Sequence, residues 1–212
     1  YHHFTLGFYL MSALLRKMNG CQVSDRVLKG IEKAIEFSMY MTRPDGLIPM
    51  IGDIDNARSI YIENPPMWDF CAFLSTGAVL FNRGDIKKIA QEHPSGSGFS
   101  EDSLWLLGID GMKKYQEMDG IYPEVTSKAL DKGGYYIMRS SWMRDSNYLC
   151  FDCGEIAAGL FKDSTPSAAH GHADLLSFEL SAFGQPMIID TGFYTYNGDE
   201  RLTSGKSISS DT

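Results

Sequence analysis

Positive charge, cysteine, histidine and long apolar runs are all scarce in this sequence, and each scarcity excludes something. The 212 residues carry 19 Lys and Arg against 27 Asp and Glu, a formal charge of −8, with no dense basic patch. Sequence-independent binding to nucleic acid needs clustered cations to neutralise phosphates, so that class is set aside. A local site for an anionic ligand remains compatible with the global sign. No apolar run reaches the ~18 residues that a membrane-spanning helix requires. The four cysteines are Cys21, Cys71, Cys150 and Cys153. The last two form C-x-x-C, but no second pair or nearby histidine completes a zinc ribbon. In a strand, residues at i and i+3 point to opposite faces, so this pair reads as ordinary half-buried cysteines. There is no internal repeat and no long low-complexity tract. The chain opens on Tyr1 inside an apolar helical pattern and stops in the polar run "SISSDT". It reads as a piece of a longer protein, so nothing about a leader peptide follows from its ends.

What is present is a large apolar fraction, 43%, enough to bury a sizeable core. Two periods divide it. Residues 1–18 are apolar nearly all round, which predicts a helix buried on most sides, with Phe4 and Phe8 in the core. Ser24 is the predicted N-cap of a second helix, with Val27, Ile31, Ile35 and Met39 along one face. Pro44, Gly46, Pro49 and Gly52 make the following segment a long loop. Helical patterns return around 66–82 and 101–116, separated by a flexible segment that contains "EHPSGSGFS" and a solvated His93. After about residue 130 the runs are short, aromatic and β-branched: "GGYYIMRSS", "NYLCFDCG", "LLSFELSAFG" and "PMIIDTGFYTY". "SAFGQP" reads as a hairpin connection. Helices followed by strands predict two packed modules of α+β type, divided near "EVTSKALDKGG", with antiparallel pairing in the second.

The chemistry-bearing residues gather ahead of one strand. "AAHGHADLLSFEL" places His170 and His172 two apart, with Asp174 close behind, in a chain of only five histidines. His2 and His3 follow Tyr1 but diverge by about 100° on a helix, so they are not a joint metal pair. "GDIDNAR" holds Asp53, Asp55 and Arg58. Its "DID" hints at calcium, yet no glutamate follows at EF-hand spacing. Tyr194 and Tyr196 alternate near the end, a pattern common on an exposed strand face.

The segment "HGHADLLSFELSAFGQPMIIDTGFYTY" resembles the signature of the heparinase II/III-like polysaccharide lyases. "GGYYIMRS", "FDCG", "YHHFTLGFYLMSALL" and "IGDIDNAR" are similar to further parts of that family. The resemblance implies the C-terminal part of an (α/α) toroid over residues 1–125, then the start of an antiparallel β-sandwich over 126–212. It implies a lyase that cleaves uronic-acid polysaccharides, glycosaminoglycan or alginate among them, by β-elimination, and a periplasmic or secreted bacterial setting. An acidic polysaccharide is the implied partner. Tyr1 matches the family's catalytic tyrosine and His170 its histidine from the strand module. A tyrosine begins near pKa ~10 and needs a cationic or hydrogen-bonding neighbour to act as a base, whereas histidine needs little tuning. Tyr194 and Arg58 are the implied substrate contacts. His172 and Asp190 match ligands of a structural zinc. If the hairpin turns near Gly184, however, Asp190 falls opposite Ser177 and not His172. Relatives carry a third ligand in an A-H-N-T segment. The best match here is "SSDT", residues 209–212, with Ser210 in the histidine's place and Asp211 beside it. Two other readings stand beside the lyase. One is a non-catalytic carbohydrate-binding or cell-envelope biosynthesis protein that keeps the fold. The other is a metal-dependent hydrolase using His170, His172 and Asp190.

Overall fold

The structure, a computed structural model, describes residues 1–52, 57–94, 98–154 and 175–192. Among these, five helices precede a five-stranded antiparallel sheet. They are α1 (His2–Met18), α2 (Asp25–Met41), α3 (Cys71–Phe81), α4 (Gly84–Glu92) and α5 (Glu101–Glu117). The chain forms two compact units. One holds the helices, their connections and Trp142–Arg144; the other holds the strands and residues 49–52. No described helix is long and apolar enough to cross a membrane.

In the helical unit, α2 starts as its sequence predicts. The Ser24 hydroxyl accepts the Val27 N–H at 3.4 Å, and Asp25 in the first turn complements the helix dipole. Ile31, Ile35 and Met39 are buried, while Val27, one turn from the start, stays largely exposed. Helix α1 departs from expectation. Leu6, Leu10 and Leu14 form a buried stripe, whereas Tyr9, Met11, Leu15 and Met18 face outward. Phe8, read as core, is 55% exposed and packs edge-on against Phe4. These rings are one turn apart, so they share a stripe that turns away from Leu6 and Leu10.

Helix α3 is buried along most of its length, and its small residues admit neighbours. A Cβ on Gly77 would crowd the Ile35 side chain of α2. Ser75 and Thr76 meet Ser103 of α5 at 2.7 Å each, and Ser100 lies 2.9 Å from the same hydroxyl. This closed hydroxyl network joins two helices without stranding a polar atom. Helix α4 was not legible as an element, because Gly84 and the pair Lys87–Lys88 interrupt a weak pattern. Ile86, Ile89 and Ala90 nevertheless form its buried face.

The sheet runs β1 (Lys128–Leu130), β2 (Tyr135–Arg139), β3 (Tyr148–Asp152), β4 (Phe178–Ala182) and β5 (Gln185–Ile188), each beside the next. Every pairing is antiparallel, with Ile137 opposite Cys150 and Cys150 opposite Glu179. The β4–β5 turn is Phe183–Gly184, both at positive φ, the conformation that suits a two-residue hairpin. An irregularity between Leu180 and Ser181 shifts the register before Asp190 is reached. One sheet face carries Ile137, Arg139, Tyr148, Cys150, Glu179 and Ser181, all buried. The Arg139 guanidinium lies 4.5 Å from the Tyr148 ring centre, so this face holds charge as well as hydrocarbon.

Candidate functional site

Two local constellations carry the described candidates, one in each unit. In the helical unit, Tyr1 is the N-cap of α1 and about half exposed; its carbonyl accepts the Thr5 N–H at 3.0 Å. A groove of about 520 Å³ between α1 and α2 is lined by Tyr1, His2 and Tyr9 together with apolar residues such as Leu6 and Ile31. His2 Nε2 lies 2.9 Å from the Ala34 carbonyl, which makes this nitrogen the N–H donor, and 3.2 Å from the Ser38 hydroxyl. Burial is the main cause that lowers the His2 pKa. His3 diverges from it as helical spacing requires. Its ring is buried and stacked on Phe70, centroids 3.9 Å apart and planes within 10°. Burial holds the His3 pKa well below the ordinary histidine value, so this imidazole is neutral.

Arg58 reaches the same aromatic cluster. It donates to the carbonyls of Asp69 at 2.5 Å and Pro66 at 3.3 Å, and its guanidinium sits 4.5 Å from the Phe70 centroid. Burial lowers its pKa, opposed by Asp69 and Asp102. His93, expected as a solvated loop residue, is instead buried. Its Nε2 lies 2.7 Å from the Gly46 carbonyl and 3.5 Å from Asp69 Oδ1, which makes it a tie for the long loop after α2. Sequence gave no sign of this, because its partners are 47 and 24 residues away.

In the sheet unit, a pocket of about 340 Å³ is lined by Asp152, Glu179 and Asp190, with Met50, Cys150 and Phe178 among the others. Glu179 is buried, and its Oε1 accepts the backbone N–H of Met50 at 2.7 Å and of Asp190 at 3.3 Å. In the sequence, Glu179 lies between Ser177 and Ser181 on the polar phase of its strand, the phase that ordinarily faces outward. The structure instead buries that polar phase, with Glu179 and Ser181 inside and Phe178 exposed, so the local pattern held no signal. Asp190 Oδ1 in turn accepts the Gly192 N–H at 2.6 Å. Cys150 is buried, with its thiol pushed up to about 12 by burial first and by Glu179 second, so it is no nucleophile. Cys153 lies past the strand end and is partly exposed, so the two thiols differ and are not both half-buried. Among the described residues no group of three metal-ligating side chains clusters. His170, His172, Tyr194 and Tyr196 lie outside the described residues, as do Asp53, Asp55, Ser210 and Asp211.

Comparison with known proteins bears on the strand half first. The profile of the family "Heparinase II/III-like, C-terminal" matches residues 123–210. These residues are a heparinase II/III-like C-terminal domain. Over 92 residues the chain is 32% identical to heparin-sulfate lyase of Pedobacter heparinus, covering 42% of this chain and 12% of that protein. Among solved structures, a mutant heparan sulfate lyase from Pedobacter heparinus matches with a TM-score of 0.68 at 21% identity. A heparinase III gene product matches with a TM-score of 0.69 at 20% identity. Each alignment covers 99% of this chain and 27% of the other. At such identities the likeness speaks for the fold, and it extends beyond the heparinase II/III-like domain into the helices. The chain is thus a distant relative of heparin-sulfate lyases, and it spans about an eighth of the curated relative and about a quarter of the solved chains.

Proposed function

We propose that this chain forms part of a polysaccharide lyase that cleaves uronic-acid polysaccharide by β-elimination, acting outside the cytoplasm in the periplasm or after secretion. In this reading the helices are the end of an (α/α) toroid and the sheet is the start of a β-sandwich. The observation that carries it is the heparinase II/III-like match over 123–210, which includes the H-x-H-A-D segment, together with 32% identity to a heparin-sulfate lyase.

The reaction needs a base for the uronate C5 proton and an acid for the leaving oxygen. The C5–H electrons form the C4–C5 double bond, the C4–O bond breaks, and the departing oxygen takes a proton. Tyr1 and His170 are assigned to these transfers, and Tyr194 and Arg58 to substrate contact. Among these, Arg58 contributes the fixed positive charge that an acidic sugar chain would meet. His172 and Asp190 are assigned to a structural zinc. The donor types, an imidazole and a carboxylate, suit zinc, and Asp190 lines the pocket of the sheet unit. When bound, the ion would brace the entry to β4 and take no part in bond cleavage.

The test is ultraviolet absorbance of the full-length protein with heparan sulfate, heparin and alginate, alongside a reducing-end assay. Elimination raises both signals, because the new double bond is conjugated to the carboxylate. Tyr1→Phe and His170→Ala are each expected to lower turnover by ~10²-fold or more, the range of a lost acid–base group. New reducing ends without absorbance would establish a hydrolase, and neither signal a binding protein.

A further inference from the structure

The first turn of α1 is held from several sides at once. His2 reaches α2, where its Nε2–H meets the Ala34 carbonyl at 2.9 Å and its ring lies 4.6 Å from Phe37. His3 points elsewhere and stacks on Phe70, just ahead of α3. The Ser59 hydroxyl donates to the Phe4 carbonyl at 2.7 Å. Gly7 gives Ser59 the room to approach, since a Cβ there would collide with its hydroxyl. Here the restraints fall on the three residues that follow Tyr1.

The choice of imidazoles is informative. Leucine or phenylalanine would bury as much hydrocarbon at positions 2 and 3 without desolvating a polar ring. His3 Nε2 has no hydrogen-bond partner among the described residues although its side chain is buried. Stability alone therefore does not account for the pair. Placing a tyrosine reproducibly does, because a group that transfers protons loses rate steeply when it is misplaced.

We propose that His2 and His3 are positioning residues for Tyr1, clamping its turn against α2 on one side and Phe70 on the other. The assignment rests on the reading of Tyr1 as a catalytic group. Both act as neutral rings, in keeping with the burial that lowers their pKa values.

The experiment uses the full-length protein with 3-fluorotyrosine at position 1, in wild type, His2→Phe, His2→Gln and His3→Leu. Fluorine resonances and elimination kinetics are read on the same samples, after thermal melts confirm folding. Wild type should give one sharp resonance. His2→Phe and His3→Leu should broaden or split it and lower kcat by roughly 10- to 100-fold with KM little changed, the scale of a misplaced reacting group. Gln carries an N–H near the imidazole position, so His2→Gln should restore a sharp line and most of kcat. An unchanged resonance in His2→Phe and His3→Leu would overturn the proposal. So would equal losses in His2→Gln and His2→Phe that merely follow the melting temperature. A wild-type protein that shows no elimination removes the lyase reading alone, since the fluorine lines still report whether the clamp exists.

Discussion

Lys87 illustrates how a single buried cation is accommodated in the helical unit. Its ammonium is nearly inaccessible and donates to the carbonyls of Tyr115 and Met118 at 2.5 Å each, at the end of α5, 4.8 Å from the Tyr115 ring centre. The last carbonyls of a helix lack internal partners and sit at its negative pole, so a cation there answers two needs. Lys87→Met should lower stability by ~1–3 kcal/mol through the stranded carbonyls, seen as a lower urea midpoint. A raised midpoint would mean that desolvating the charge outweighs those bonds. The buried histidines make a second claim at this scale. His2 and His3 have lowered pKa values, so below the ordinary value of about 6.5 the unfolded chain binds protons that the folded chain refuses. Stability is therefore complete above that pH and falls as pH drops through it towards the folded values. His3→Phe keeps a ring on Phe70 and should flatten that slope in melts taken between about pH 7 and pH 5.

Among the elements, α1 sets local preference against packing. Gly7 in mid-helix costs about 1 kcal/mol relative to alanine by propensity alone. Yet Gly7→Ala should destabilise the protein, because the added Cβ would displace Ser59 and break its bond to Phe4. A melt showing Gly7→Ala more stable than wild type would mean that the Ser59 contact yields at little cost. The same contrast explains what was legible in advance. Caps and strong periodicity were: Ser24, the Ile31–Ile35–Met39 stripe and the Phe183–Gly184 hairpin are all local signals. Antiparallel pairing followed from short strand-like runs grouped after the helices. Helix α4 was missed because nine residues with two central lysines give a weak pattern, and β1 because three residues give almost none. The outward side of α1 was misread because apolar composition does not say which stripe a neighbour covers. Among the candidates, the His170–His172 pair stood out by residue type and Tyr1 by the family resemblance. His93 and Glu179 did not, since each is defined by partners distant in sequence.

For the whole molecule, the two units do not divide at one point in the chain. Residues 49–52 join the strands, and Trp142–Arg144 join the helices, where the Trp142 indole donates to the Val125 carbonyl at 3.2 Å. Glu179 depends on this arrangement, because one of its two backbone donors is Met50. Glu179→Leu would strand both N–H groups and is expected to loosen the sheet unit by ~1–3 kcal/mol. Cys150 would then become open to thiol labelling at lower urea than in wild type. Unchanged labelling would show that water replaces the carboxylate freely.

The placement of Trp142 also has an optical consequence. The chain has three tryptophans, and Trp68, Trp105 and Trp142 all belong to the helical unit. Indole emission from this chain is therefore a one-sided gauge, tracking the helices and blind to the strands. A smooth fluorescence melt would report a single transition even where the sheet had opened earlier, and the interval between emission and Cys150 labelling measures how far the two halves part company.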